Sequence, residues 1–200
     1  MNTHFGDYDL TGDEWDEAVW VWRHTVVPKG CRAETIDGLV SVTPVSAGVG
    51  HVVAERVTRS LYEVIPPDWG VYQWLGTAVP SRLGLYVPDL VVLPREPGGA
   101  GADDHVPASA ARLVVEITSK ATAHHDRFTK PAGYATAGVP LYLLIDAIAP
   151  DGPAVTLHTD PEDGAYRRLT TAAFGEPVQL PEPFGLALDT TDFPAPTSDR

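Results

Sequence analysis

Two strand-like apolar runs in this chain each enclose a single acid. Leu85-Tyr86-Val87-Pro88-Asp89-Leu90-Val91-Val92-Leu93 surrounds Asp89, and Leu113-Val114-Val115-Glu116-Ile117 surrounds Glu116. Their length and β-branched content are those of buried strands. A carboxylate in such a place loses hydration unless a cation, a donor or a proton compensates it, and a structural salt bridge would also do so. If the two strands are neighbours, both acids converge on one point. Two carboxylates, completed by water and a phosphate, make the oxygen-only ligand set that Mg²⁺ takes.

The second acid opens a unit of strand, helix and strand. After Glu116 comes a polar segment ending in Tyr134-Ala135-Thr136-Ala137-Gly138, with helix-favouring alanines and a glycine suited to the position past a helix end. Pro140-Leu141-Tyr142-Leu143-Leu144-Ile145-Asp146 is the next buried strand. Asp126 is placed to cap the helix that holds Tyr134. Lys130 precedes Pro131, which disfavours helical geometry at 130, so the lysine should sit just before the first helical turn.

Around this unit the chain reads as support. Thr11-Gly12-Asp13-Glu14 fits a capping box that opens a helix to about His24, with Trp15, Val19 and Trp22 along one side. Aromatics at that spacing are core; a base-stacking platform of Trp15, Trp20 and Trp22 is the rival reading. Residues 34–43 read as a hairpin turning at Asp37-Gly38. Val49, Val52, Val53, Val57, Leu61 and Val64 recur at helical spacing over 47–65, and Pro66-Pro67 ends that helix. His51 and Glu55, one turn apart, form either a metal pair or an exposed pair. Residues 69–79 and 82–93 read as two strands around Pro80-Ser81, and 154–158 with 165–170 as a later hairpin. The Gly- and Pro-rich segment 94–109 shows no periodicity, so it is a loop that closes over substrate or lies on the surface. Within it Asp103, Asp104 and His105 read as a solvated acidic loop rather than a metal site. His124 and His125 point in different directions on any regular element and do not share a zinc ion. No Gly-x-Ser-x-Gly elbow surrounds Ser119, which excludes a hydrolase triad of that kind and leaves it a turn residue orienting the site.

Order and spacing of these motifs carry a resemblance. Pro88-Asp89, Val115-Glu116-Ile117-Thr118-Ser119, Asp126, Lys130, Tyr134, Gly138-Val139-Pro140 and Tyr142 resemble the Uma-two "putative restriction endonuclease" family within the PD-(D/E)XK nuclease superfamily. Glu34-Thr35-Ile36-Asp37-Gly38 with Pro44 and His51 resembles its amino-terminal hairpin and helix, and Phe184-Gly185-Leu186 its closing strand, so the likeness covers residues 32–193. It implies an α/β fold with a restriction-endonuclease-like core, a central mixed β-sheet flanked by helices. It also implies Asp89, Glu116 and the carbonyl of Ile117 as ligands of Mg²⁺ or Mn²⁺, in an endonuclease that hydrolyses phosphodiester bonds of DNA. The superfamily lysine two residues after the glutamate is replaced by Thr118, and Lys130 on the following helix matches the displaced lysine, with Lys120 its competitor. Glu34, His51, Ser119, Lys120, Asp126 and Tyr134 are accessory candidates. A nuclease-fold binding or regulatory module without turnover is the alternative.

Composition bounds these expectations. Two hundred residues suit one domain, taken as 11–193 between tails at 1–10 and 194–200. The absence of an eighteen-residue apolar run and the acidic start imply a cytoplasmic protein without a membrane partner. The lone Cys31 excludes an internal disulfide and a multi-cysteine zinc site. A net charge of −13 opposes tight unspecific binding to nucleic acid. Yet Glu116, Asp126 and Asp146 are balanced by Lys120, Arg127 and Lys130 over 113–146, so the candidate site is locally neutral. Two cuts in a duplex would be simplest for a homodimer.

Overall fold

The computed structural model describes residues 14–45, 48–95 and 105–194. The expected Thr11 cap, the pair Asp103 and Asp104, and the tails (Pro194 apart) lie outside the described residues. Helix α1 (Glu14–His24) leads into strands β1 (Cys31–Ile36) and β2 (Leu39–Pro44), joined at Asp37-Gly38. Both turn residues have positive φ, 48° and 81°, as a two-residue hairpin turn of matching twist requires. Helix α2 (Val49–Tyr62) follows and buries Val53, Val57 and Leu61. Val52, expected on that stripe, is 44% exposed because it lies one position off the buried i, i+4, i+8 row.

Each of the two long strands expected next is broken in the middle. Residues 69–79 divide into β3 (Trp69–Gln73) and β4 (Gly76–Val79), and 82–93 into β5 (Gly84–Tyr86) and β6 (Leu90–Pro94). Trp74, with φ +55°, turns the first strand, and Pro88, which has no N–H for a ladder, ends the second. The loop expected over 94–109 carries a short strand, β7 (His105–Pro107), and a single 3₁₀ turn, Ala108–Ala110. Further on come β8 (Leu113–Ile117), α3 (Lys130–Thr136), β9 (Tyr142–Asp146), β10 (Ala154–Glu162), β11 (Ala165–Ala173), β12 (Val178–Leu180) and β13 (Leu186–Leu188).

The strand breaks distribute the chain over two large sheets. One has the order β2-β1-β5-β4-β7; the other, a mixed sheet, has the order β11-β10-β9-β8-β6-β3. Strands β8 and β9 are parallel, with α3 in the connection, so the expected strand–helix–strand unit is present. Side chains alternate across the six-stranded sheet. Leu90, Val92, Leu113, Val115, Leu143 and Ile145 join the core under α2, while Val91, Val114, Tyr142 and Leu144 join the core around Tyr86 and Tyr134. The α/β architecture is the one expected, with a second sheet in place of a single central one. Trp15 and Trp22 pack around Val19, Leu85 and Val87, and the Trp22 indole donates to the Ala33 carbonyl at 2.9 Å. Those two aromatics are structural, while Trp20 is 47% exposed and stacks on His24.

Candidate active site at the seam of the sheets

Asp89 stands at the corner where the chain leaves one sheet, after β5, and enters the other at β6. Antiparallel β6 and β8 pair Leu90 with Val115, so one residue further Asp89 faces Glu116. Asp89 shares the parity of Val91, and Glu116 that of Val114, so both acids belong to the same face of the sheet. The backbone N–H of Ile117 donates to Asp89 Oδ2 at 2.7 Å and fixes the carboxylate against β8.

Two cations meet these acids. Lys130 Nζ lies 2.9 Å from Glu116 Oε1, 2.9 Å from Glu34 Oε1 and 3.2 Å from Asp126 Oδ1, with no exposed surface. The ammonium is thus enclosed by three carboxylates, donating to Glu116 Oε1 and ion-paired with the other two. On the other side, Arg32 Nη1 donates to Asp89 Oδ1 at 3.1 Å, and its Nη2 is 4.0 Å from Glu116 Oε2. Glu34 also accepts from the Val87 N–H at 2.7 Å, which uses a donor released where β5 ends.

The pKa directions follow from this crowding. Burial pushes Glu116 well above the usual carboxylate range; Lys130 opposes that, and Asp126, Asp89 and Glu34 add to it. Burial likewise raises Asp126 against the pull of Lys130. For Glu34 burial is outweighed by Lys130 and Arg32, and its pKa is lowered. Burial alone would lower Lys130, but Glu116, Glu34 and Asp126 hold it well above its ordinary value.

Lys130 does not precede the helix, as Pro131 suggested. It has helical dihedrals (φ −65°, ψ −43°) and directly follows a π-turn at His125–Thr129, its N–H bonding the His125 carbonyl. In that wide turn the Asp126 carbonyl would be served by residue 131, a proline without an N–H; the Tyr142 hydroxyl donates to it instead, at 2.7 Å. Pro131 is tolerated because a side chain from β9 supplies the missing donor. Asp126 therefore does not cap the helix, and its side chain turns to Lys130 one turn on. The helix end is as expected: Gly138 (φ +73°) donates to the Ala135 carbonyl and Val139 to that of Tyr134, both at 3.0 Å.

The other candidates take more distant places. Tyr134 is buried behind the lysine with its hydroxyl 3.1 Å from Thr77 Oγ1. Ser119 forms the turn after β8, its hydroxyl 3.0 Å from Thr122 Oγ1, and Lys120 beside it is exposed. His51 is not paired with Glu55, which binds Arg59 instead. It lines a small cleft with Asp89, Ile117, Ala54, Gln73 and Trp74, its ring 5.9 Å from the Trp74 indole. His124 and His125 stack edge-on at 5.7 Å, and among the described residues no group of three His, Cys, Asp or Glu is arranged as a ready metal cage.

A divalent ion suits the chemistry of this place in one respect: Glu116 Oε2 is buried and has no hydrogen-bond partner. It faces Asp89 across Arg32, whose Nε is also without a partner. Arg32 is the residue sequence reasoning missed. The available signal was its i, i+2 relation to Glu34, which puts both on one face of β1.

Residues 22–191 match the model of the family described as Uma2, Putative restriction endonuclease. The chain belongs to the Uma2 family. Its fold is also similar to a crystal structure of a "putative nuclease belonging to DUF820" from Anabaena variabilis ATCC 29413, with a TM-score of 0.68, 18% identity, and coverage of 91% of this chain and 97% of that one. Among curated proteins no match was found. The Uma2 assignment supports nuclease-like chemistry on nucleic acid, and the solved structure supports the fold.

Proposed function

We propose that this Uma2 protein is a metal-dependent endonuclease of the PD-(D/E)XK type that hydrolyses phosphodiester bonds, with DNA as substrate. The observation that carries the reading is the meeting of Asp89 and Glu116, one at a chain corner and one on the neighbouring strand, on one face, with Asp89 lining a small cleft. Asp89, Glu116 and the Ile117 carbonyl would hold Mg²⁺ or Mn²⁺. Such an ion, when bound, polarises the phosphate and makes a water more acidic.

The chain's own groups supply the positioning. The Ile117 N–H and Lys130 fix the two carboxylates, so little reorganisation is required as negative charge develops on the phosphoryl group. The cleft of His51, Gln73 and Trp74 gives the approach to Asp89. In the reaction the water oxygen forms a bond to phosphorus and releases a proton to solvent as the bond to the leaving oxygen breaks, and the leaving oxygen takes up a proton from solvent. Lys130 acts here by holding Glu116, since its ammonium is enclosed.

One observation favours a second reading, a nuclease-fold binding module without turnover. The lysine that would meet the phosphate is ion-paired with three acids and has no exposed surface. Incubating the purified protein with supercoiled plasmid, linear duplex, single-stranded DNA and RNA, in Mn²⁺ and in EDTA, separates the two. Metal-dependent cleavage of DNA is expected; binding without cleavage across the panel selects the module.

A further inference from the structure

Lys130 does not account for all the cationic character of the site. Arg32 lies between the paired acids, and it is held differently from the lysine. Its one side-chain hydrogen bond among the described residues goes to Asp89 Oδ1, its Nη2 stops 4.0 Å short of Glu116 Oε2, and both its Nε and that Oε2 are buried without a hydrogen-bond partner. We infer that the Arg32 guanidinium is a built-in counter-ion that keeps the divalent ion's place between Asp89 and Glu116, and moves to a substrate phosphate when the ion binds. This rests on the metal-dependent reading above and adds to it a competitor for the ion and a phosphate ligand.

Geometry places the two cations on the same carboxylate. An ion at about 2.1 Å from Asp89 Oδ1 would lie within roughly 5 Å of Arg32 Nη1, which is 3.1 Å from the same oxygen. A guanidinium does not deprotonate, so the two cations repel across a partly buried gap, and withdrawal of one relieves that repulsion. The arginine is the less tightly held of the two, with one hydrogen bond to Asp89 and a longer ion pair to Glu116, whereas Lys130 is enclosed by Glu34, Glu116 and Asp126. Its side chain is also 12% exposed against 0% for Lys130. Of the two cations only Arg32 has a surface with which to meet a phosphate, and its planar fork suits two phosphate oxygens.

A structural salt bridge and a place-holder predict opposite signs for ion binding. If Arg32 merely scaffolds the acids, removing it disorders them and weakens the ion. If it holds the ion's place, removing it strengthens the ion. Titrating Mn²⁺ calorimetrically into the intact parent protein, Arg32→Met and Asp89→Asn tests this. We expect about tenfold tighter binding in Arg32→Met, since a like charge has been removed, and loss of binding in Asp89→Asn. Should Arg32→Met fail to fold, Arg32→Lys keeps a charge but not the fork that reaches toward both acids, and a smaller gain is expected. Unchanged or weaker binding in these variants, beside a parent that binds, overturns the role of Arg32 alone. No Mn²⁺ uptake by parent or variant overturns the metal reading and this inference with it.

The phosphate half has its own readout. With Mn²⁺ saturating, a labelled phosphorothioate oligonucleotide should bind Arg32→Met about tenfold more weakly than the parent, with the salt slope reduced by roughly one. Equal affinity overturns that half. Stronger ion binding and weaker oligonucleotide binding in one variant is a pair of changes that a general structural defect does not produce.

Discussion

At the scale of single residues, the enclosed lysine makes the sharpest stability claim. Lys130→Met leaves Glu34, Glu116 and Asp126 buried without their cation, and should cost about 3–5 kcal/mol in urea unfolding. Exposed Lys120→Met should stay within about 0.5 kcal/mol. His158 gives a pH signature distinct from the acids. Its imidazole is buried against the rings of Tyr142 and Tyr166, and burial lowers its pKa to about 4. The unfolded chain binds that proton near pH 6.5, so the neutral imidazole's contribution is complete above pH 6.5 and is lost as pH falls toward 4, by up to about 3 kcal/mol. His158→Phe should flatten that part of the stability curve relative to the parent, and parallel curves would refute it. Asp89 and Glu116 were legible in the sequence because an acid inside an apolar run has to be compensated. Arg32 was not, because an arginine near a strand end reads like any solvated charge until the fold shows what faces it.

At the scale of elements, hairpin turn, helix stripe and helix end were legible, since each depends on local chemistry: Asp37-Gly38, the row Val53-Val57-Leu61, and Gly138. The partition of long strands between two sheets was not. Trp74 in a left-handed conformation and Pro88 without a donor break ladders whose hydrophobic pattern runs on unbroken, and the outcome depends on strands distant in sequence. The π-turn before α3 was hidden for a similar reason, since its tolerance of Pro131 depends on Tyr142. Packing of α3 against β5 gives a test at this scale. A Cβ on Gly133 would lie 2.6 Å from Tyr86 Cε2 and 2.9 Å from its Cζ, so helix and strand could no longer approach as they do. Gly133→Ala should therefore destabilise by about 1–3 kcal/mol despite alanine's better helix propensity. A gain in melting temperature would mean that α3 and β5 are not in close contact.

For the whole molecule, the two sheets meet where the acids do, and the cleft at that seam opens beside Asp89. A chain with a net charge of −13 has little general attraction for nucleic acid. On the reading proposed above, binding would depend on a few local cations at the seam, and on the ion that Asp89 and Glu116 would share. No helix among the described residues is long and apolar enough to cross a membrane. If these two acids act as one unit in phosphodiester hydrolysis, the rate of plasmid nicking in Mn²⁺ will report it. Asp89→Ala and Glu116→Ala should each lower that rate by a factor of about a hundred or more, and the double variant should be little worse than either alone, because groups sharing one ion fail together. Nicking by either single variant at close to the parent's rate would contradict the account.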